Sequence, residues 1–266
     1  MSLRLKIILL IVPIVVIPMI ASGWLSYSQL KQTAVEKSQA QMETLLEQYA
    51  SYADQFVRSA ESNIRLFSNN ELLRRYMVTQ SEEERYEILQ PLLMKQLLGY
   101  QAAYPKYYEF RVIFPDGFED LRQVNRPVDN LTINEAGTPF IKTVLEHKEG
   151  VFSRIQHNPD NDELVLYVAI ALNLKDRSIE SASSIPKFRG YLVMTVDMSE
   201  VVRQMELSRL GEHGFIFATN SSGRAVLFPD RLSPVLTGAS LNQQHRNILG
   251  VNVGSKNGAN GVDLSA

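Results

Sequence analysis

Residues 107–126 read YYEFRVIFPDGFEDLRQVNR, and this stretch decides the fold. An alternating apolar run (Phe110, Val112, Phe114) leads into Pro115-Asp116-Gly117, and a second run (Phe118, Leu121, Val124) leads out. Period-two alternation on both sides of a Pro-Asp-Gly turn predicts a β-hairpin. The turn residues supply the unusual φ values, and each strand lays one face on a core. Three arginines, Arg111, Arg122 and Arg126, fall on or just after these strands. Arg111 shares its alternating face with Glu109, away from Phe110 and Val112. The hairpin is thus a candidate floor for a ligand pocket, and the rest of the chain is read outward from it.

Upstream, residues 28–68 contain neither Pro nor Gly. Apolar residues at Met42, Leu45, Tyr49, Tyr52, Phe56, Ala60, Ile64 and Phe67 form one helical stripe. This predicts a single helix reaching on the order of 60 Å at 1.5 Å per residue. The stripe reads either as a helix packed along its own domain or as a dimerising signalling stalk, and the two readings are compatible for different portions of it. Before it, residues 7–27 carry no charge and are mostly Ile, Leu and Val, with bends expected at Pro13 and Pro18. The run reaches the roughly 20 residues that cross a bilayer and exceeds the apolar core of a signal peptide. Trp24 and Tyr27 suit the far membrane interface. Arg4 and Lys6 precede the run and no basic residue follows until Lys31, which places the N-terminus in the cytoplasm and the remainder outside.

Between the long helix and the hairpin, residues 71–78 read as a short helix. Ser81 followed by three glutamates starts another, expected to run to about Ala103 and to bend or restart near Pro91. Leu89, Leu92, Leu93 and Leu97 form its inner face, and Tyr100, Tyr104, Tyr107 and Tyr108 crowd its end. Downstream, 127–137 is a polar loop, 138–147 a short helix ended at Gly150, and 151–155 a strand. A turn at 158–162 leads to a strand over 163–174, with Leu164, Leu166, Val168, Ile170 and Leu172 on one face. A serine-rich loop (175–186) precedes a strand at 188–196 that ends on Asp197. Five antiparallel strands with a helical preface make an α+β domain. After a connecting helix at 199–207, Phe215, Phe217, Asn220-Ser-Ser-Gly223, Val226 and Phe228 predict a second hairpin. The polar, Gly- and Asn-rich chain after Leu236 makes the second module smaller or incomplete.

Composition narrows the chemistry. The chain has 266 residues, a net charge of −2 and no cysteine, which excludes disulfides, thiolate catalysis and cysteine metal sites. There is no basic footprint for nucleic acid. The four histidines are scattered without metal-site spacing. Asp160, Asp162 and Glu163 look calcium-like, but the loop glycine and distal Glu of a calcium hand are missing, so a solvated turn is expected. No nucleophile with a base is assembled and no phosphate-binding glycine loop is present, so a non-enzymatic chain without a cofactor is expected.

The order of the segments EFRVIFPDGFEDLR, VFSRI, ELVLYVAIAL, GYLVMTVDMSEV and GEHGFIFATNSSGRAVLFPD, behind an anchor and a long helix, resembles the double Cache extracytoplasmic sensor region of bacterial transmembrane receptors. The resemblance covers about residues 3–230. It implies two PAS-like lobes and the following division: a cytoplasmic N-terminus (1–6), a transmembrane helix (7–27), a stalk helix (28–68), a five-stranded membrane-distal lobe (69–197), and a connecting helix with a membrane-proximal lobe (198–266). It further implies sensing of an amino acid, carboxylate or amine for a histidine kinase, a GGDEF/EAL cyclase or a chemoreceptor. Asp197 occupies a position like the acid of the family's amino-acid site, whereas that site's Arg-x-Trp is missing here, Trp24 being the only tryptophan.

The candidate ligand-binding residues are Tyr108, Arg111, Arg122, Arg126, Tyr167 and Asp197. An arginine clamps a carboxylate bidentately, and an aspartate holds an ammonium group. The competing readings are solvated arginines paired with Glu109, Glu119 or Asp120, Asp197 as a helix cap, and the tyrosines as core. Because alternation sends Arg111 away from the apolar face, the expected contacts shift toward Arg122, Arg126 and Asp197. The expected partners are a small molecule, the membrane and a second copy of the chain. The alternative is a structural or interaction module that dimerises or binds a periplasmic protein without a small ligand.

Overall fold

The computed structural model describes residues 3–131, 134–146, 148–175, 185–207, 216–219 and 225–227, with backbone alone for 3–13, 135, 225 and 226. The chain divides into two compact units, Met1–Ser51 and Tyr52–Ala266. Helix α1 (Leu3–Ser68) runs through both.

Within the first unit α1 is helical across the whole run 7–27. Ile14, Ile17, Met19, Ile20, Trp24, Leu25 and Tyr27 are all exposed. Among the described residues no helix is long and apolar enough to cross a membrane. The side chains of 7–13, the start of the expected span, lie outside those described.

In the second unit the stripe of α1 divides. Phe56, Ala60, Ile64 and Phe67 are buried, while Tyr52 is exposed. Asn70 caps α2 (Glu71–Val78) by accepting from Leu72 N at 2.7 Å. Ser81 Oγ accepts from Glu84 N, as an N-cap serine should. The irregularity expected near Pro91 is a widened π turn (Glu84–Leu89) running into α3 (Gln90–Ala103). Proline has no N–H to donate and its ring crowds the preceding turn, so the helix loosens just ahead of it.

The five strands are β1 (Tyr107–Ile113), β2 (Glu119–Val124), β3 (Val151–His157), β4 (Leu164–Leu174) and β5 (Lys187–Asp197). They form one antiparallel sheet in the order β2-β1-β5-β4-β3. The hairpin closes at Gly117, whose φ of +86° suits a residue without Cβ. The last of these five in sequence, β5, lies in the middle of the sheet. It enters beside β1 at Gly190, where a Cβ would stand 2.3 Å from the carbonyl oxygen of Ile113.

Both faces of the sheet are covered. One carries Phe110, Val112, Leu166, Val168, Leu192, Met194 and Val196 and turns to α1 and α3; Phe67 stacks on Tyr100 at 4.2 Å and meets Phe110 edge-on at 5.6 Å. The other carries Ile113, Tyr167, Ala169, Tyr191 and Val193 beneath α4 (Pro139–Glu146), which contributes Phe140, Ile141 and Val144. The face expected of β4 is present, with Leu166, Val168 and Ile170 in register beside Val196, Met194 and Leu192. Val165, Tyr167 and Ala169 are buried as well, because α4 covers the side that alternation assigns to solvent.

Helix α5 (Ser199–Leu207) follows, burying Val201, Val202 and Met205. The second hairpin is present as β6 (Ala218–Thr219) paired antiparallel with β7 (Ala225–Leu227). Phe215, the turn 220–223 and Phe228, like the rest of the expected second lobe, lie outside the described residues.

Candidate ligand site

The site lies on the α4-covered face, and a β-bulge in β1 builds its edge. Tyr107 pairs with Val196 and Glu109 with Thr195, so Tyr108 is one residue too many for the ladder. A bulge redirects side chains that strict alternation would place elsewhere. Tyr107 turns to α1, where its hydroxyl accepts from Asn63 at 2.6 Å. Tyr108, which alternation groups with Phe110, joins the core under α4 instead. Its hydroxyl accepts from Asn158 Nδ2 at 2.8 Å, and the guanidinium of Arg126 lies 3.7 Å from its ring centre. Burial raises the pKa of the Tyr108 hydroxyl.

Arg111 and Arg122 stand directly opposite each other on β1 and β2. Two cations in that register repel unless carboxylates lie between them. Glu109 supplies one: its Oε1 accepts from Arg111 at 3.0 Å and from Arg122 Nε at 2.7 Å, and its Oε2 accepts from Thr195 Oγ1 at 2.7 Å. Asp160 supplies another from the turn between β3 and β4. Its Oδ2 accepts from Arg111 and lies 3.7 Å from Arg122, and its Oδ1 accepts from Leu131 N at 3.1 Å. Glu119 completes the cluster, 3.4 Å from Arg111, accepting from Asn130 Nδ2 at 2.8 Å. Burial pushes the Glu119 carboxyl up to about 7, against the pull of Arg111 and Asn130. Arg122 also donates to the carbonyls of Val128 and Asp129, both at 3.1 Å. The loop after β2 is thereby strapped across the cluster by Arg122, Glu119 and Asp160.

Beside the cluster is a small cavity lined by Arg111, Thr138, Phe140, Gln156, Pro159 and Tyr167. Water-molecule centres fit in about 20 Å³ of it, which is room for about one water. Tyr167 stacks on Phe140 at 4.8 Å, and burial raises its hydroxyl pKa. Arg126 and Asp197 form a separate, half-buried pair at 3.2 Å, with Glu163 also on Arg126. Asp197 Oδ1 accepts from Ser199 N at 2.8 Å, so it also performs the capping role ahead of α5.

The six predicted residues are divided between two neighbouring groups on this face. Arg111 and Tyr167 line the cavity, with Arg122 behind Arg111; Tyr108, Arg126 and Asp197 form the second group. Two expectations are corrected. Arg111 is not solvated, its side chain being only 4% exposed. The competing pairing with carboxylates holds for Glu109 and Glu119, while Asp120 accepts from Tyr76 and Tyr86. The turn at 158–162 is not wholly solvated: Asp160 is buried at its side chain while Asp162 is 97% exposed. Sequence reading passed over Asp160, Asn158 and Thr195 as site residues. Glu109 was detectable, lying two positions from Arg111 on the same face, whereas Asp160 arrives from 49 residues away without a local signal. Among the described residues no group of three His, Asp or Glu is placed to hold a metal ion. The chemistry on offer is recognition of charge by buried guanidinium and carboxylate groups.

No family model and no curated protein matches the chain. Solved structures do. The sensor domain of the histidine kinase DctB from V. cholerae is 12% identical with a TM-score of 0.53, covering 79% of this chain and 73% of that one. A domain assigned to the sensory box/GGDEF family in Vibrio parahaemolyticus is 15% identical with a TM-score of 0.51, covering 77% and 76%. The ligand-binding domain of the Campylobacter jejuni chemoreceptor Tlp3, in complex with 4-methylisoleucine, is 11% identical with a TM-score of 0.51, covering 78% and 75%. At these identities the likeness is one of fold. The chain shares the fold of these sensor and ligand-binding domains, which is the fold that the double Cache resemblance implies.

Proposed function

We propose that the chain is the extracytoplasmic sensing module of a transmembrane receptor and binds a small molecule on the α4-covered face of its sheet. One observation carries this reading: Arg111, Arg122, Glu109, Glu119 and Asp160 meet in a buried cluster on that face. A buried ion network is a poor source of stability, since apolar side chains of the same volume serve as well or better. Held charges beside a cavity are instead what a polar ligand requires. The six residues Tyr108, Arg111, Arg122, Arg126, Tyr167 and Asp197 are the proposed contacts, and an amino acid, carboxylate or amine is the proposed ligand range.

In this reading residues 7–27 anchor the chain in the inner membrane, with 1–6 in the cytoplasm. The exposed side chains from Ile14 to Tyr27 fit a lipid surround. Residues 28–68 carry the signal, 69–197 form the distal lobe and 198–266 belong to a proximal one. Exposed Met42 and Leu46 offer α1 a surface for a second copy of the chain. A ligand acts by preferring one of two arrangements of the distal lobe, and the helix passes the shift toward a kinase, cyclase or chemotaxis output.

Thermal unfolding of the full chain in detergent, run against a panel of amino acids, carboxylates and amines, tests this. At a hundred times its Kd the true ligand stabilises the folded state by about 2.7 kcal/mol, a clear rise in Tm. A flat response across the panel rejects direct sensing and leaves the interaction-module reading.

A further inference from the structure

Asp160 differs from the other charged groups of the cluster in where it comes from. Glu109, Arg111, Glu119 and Arg122 stand on paired strands, whereas Asp160 is brought in by a turn. We propose that Asp160 is a built-in stand-in for the acid group of a small monocarboxylate ligand, which binds Arg111 and Arg122 by displacing it. This rests on the sensing reading above and names the ligand class of the same site.

Charge supports an exchange at these guanidinium groups. Arg111 and Arg122 both face the carboxylates of Glu109 and Asp160, and Glu119 lies 3.4 Å from Arg111. A further anion there adds to the carboxylates already in place, and a surplus buried charge has no solvent to stabilise it, which favours giving one carboxylate up. Space supports the same conclusion. The cavity beside Arg111 has room for about one water and ends at Pro159, next to Asp160, so withdrawing the turn lengthens the cavity along the guanidinium. The turn also has a fixed root. Asn158 is buried, donates to Tyr108, accepts from Asp160 N at 3.0 Å, and bonds through its N–H to Glu163 O at 2.8 Å. Because Asp160 Oδ1 holds Leu131 N, its withdrawal also removes one of the straps on the loop after β2, those from Arg122 and Glu119 remaining.

The test uses Asp160→Ala in the full chain, with sodium formate and sodium acetate as probes and sodium chloride and methylammonium as controls. The variant's Tm is expected to rise with formate and acetate at concentrations about tenfold lower than the wild type requires, the ratio for a charge-assisted hydrogen bond relieved of a competitor. Should Asp160→Ala not fold, Asp160→Asn keeps the volume and the bond from Leu131 while removing the charge, and the same shift is expected. Equal midpoints in variant and wild type, or a chloride response matching formate, overturn the proposal. A wild type stabilised by amines or neutral compounds, with no carboxylate gain in the variant, overturns this inference and leaves sensing intact. A carboxylate gain in the variant with a wild type silent across the whole panel overturns the exchange together with sensing, since Asp160 is then never displaced in the native chain.

Discussion

On one face of the sheet Phe110 and Val112 meet Phe67 and Tyr100; on the other, Glu109 and Arg111 from the same strand meet Arg122 and Asp160. Both sets are buried to a similar degree. The helix-facing side gains stability from apolar contact and stacked rings, at about 25 cal/mol per Å² removed from water. The α4 side shares that gain through residues such as Ile113, Phe140 and Val193, and it also holds charge, whose ion pairs must first offset their own desolvation. The comparison teaches that one strand can lay an apolar row on one face and a charged row on the other, and only the charged row carries the proposed recognition.

The largest expected effect is on the apolar side. Phe110→Ala removes a ring packed edge-on against Phe67 and is expected to cost about 3–5 kcal/mol, read by urea unfolding. On the charged side, Arg111→Met leaves Glu109 and Asp160 short of a cation and should cost about 3 kcal/mol. The pair Glu109→Leu with Arg111→Met removes one charge of each sign and leaves Arg122 with Asp160, so it is expected to recover most of that loss. If the pair is as unstable as Arg111→Met alone, the cluster is a stability element and the contrast between the faces fails.

The smallest effect is on pH. The Glu119 carboxyl is raised from an ordinary 4.5 to about 7, so the folded chain holds this proton more tightly than the unfolded one. Its contribution to stability is therefore full below about pH 4.5 and is lost as pH rises through about 7. Unfolding midpoints should fall over that window, and Glu119→Gln, which cannot titrate, should flatten the fall. An unchanged slope in the variant would place the titration on another group.

Much of this was legible beforehand. The alternation around Pro115-Asp116-Gly117 placed Phe110 and Arg111 on opposite faces, and the structure keeps them there. The order of helices and strands over residues 71–197 followed from periodicity and turn residues. What period two does not say is whether the second face meets water, and α4 decides that: with Phe140 and Ile141 over it, outward positions become interior ones. Tyr108 shows a second limit, since a bulge of one residue moved it across the sheet without any change in local pattern.

The sequence by itself determined the long helix, the hairpin and the supply of arginines and carboxylates, because these depend on propensity and on spacing within a few residues. Only the tertiary structure decided that Arg111 is buried, that Asp160 is its partner and that the loop after β2 lies over both. Those facts depend on the packing of α4 and on a turn 49 positions along the chain, and contacts across such separations leave no periodic trace in the residues that make them.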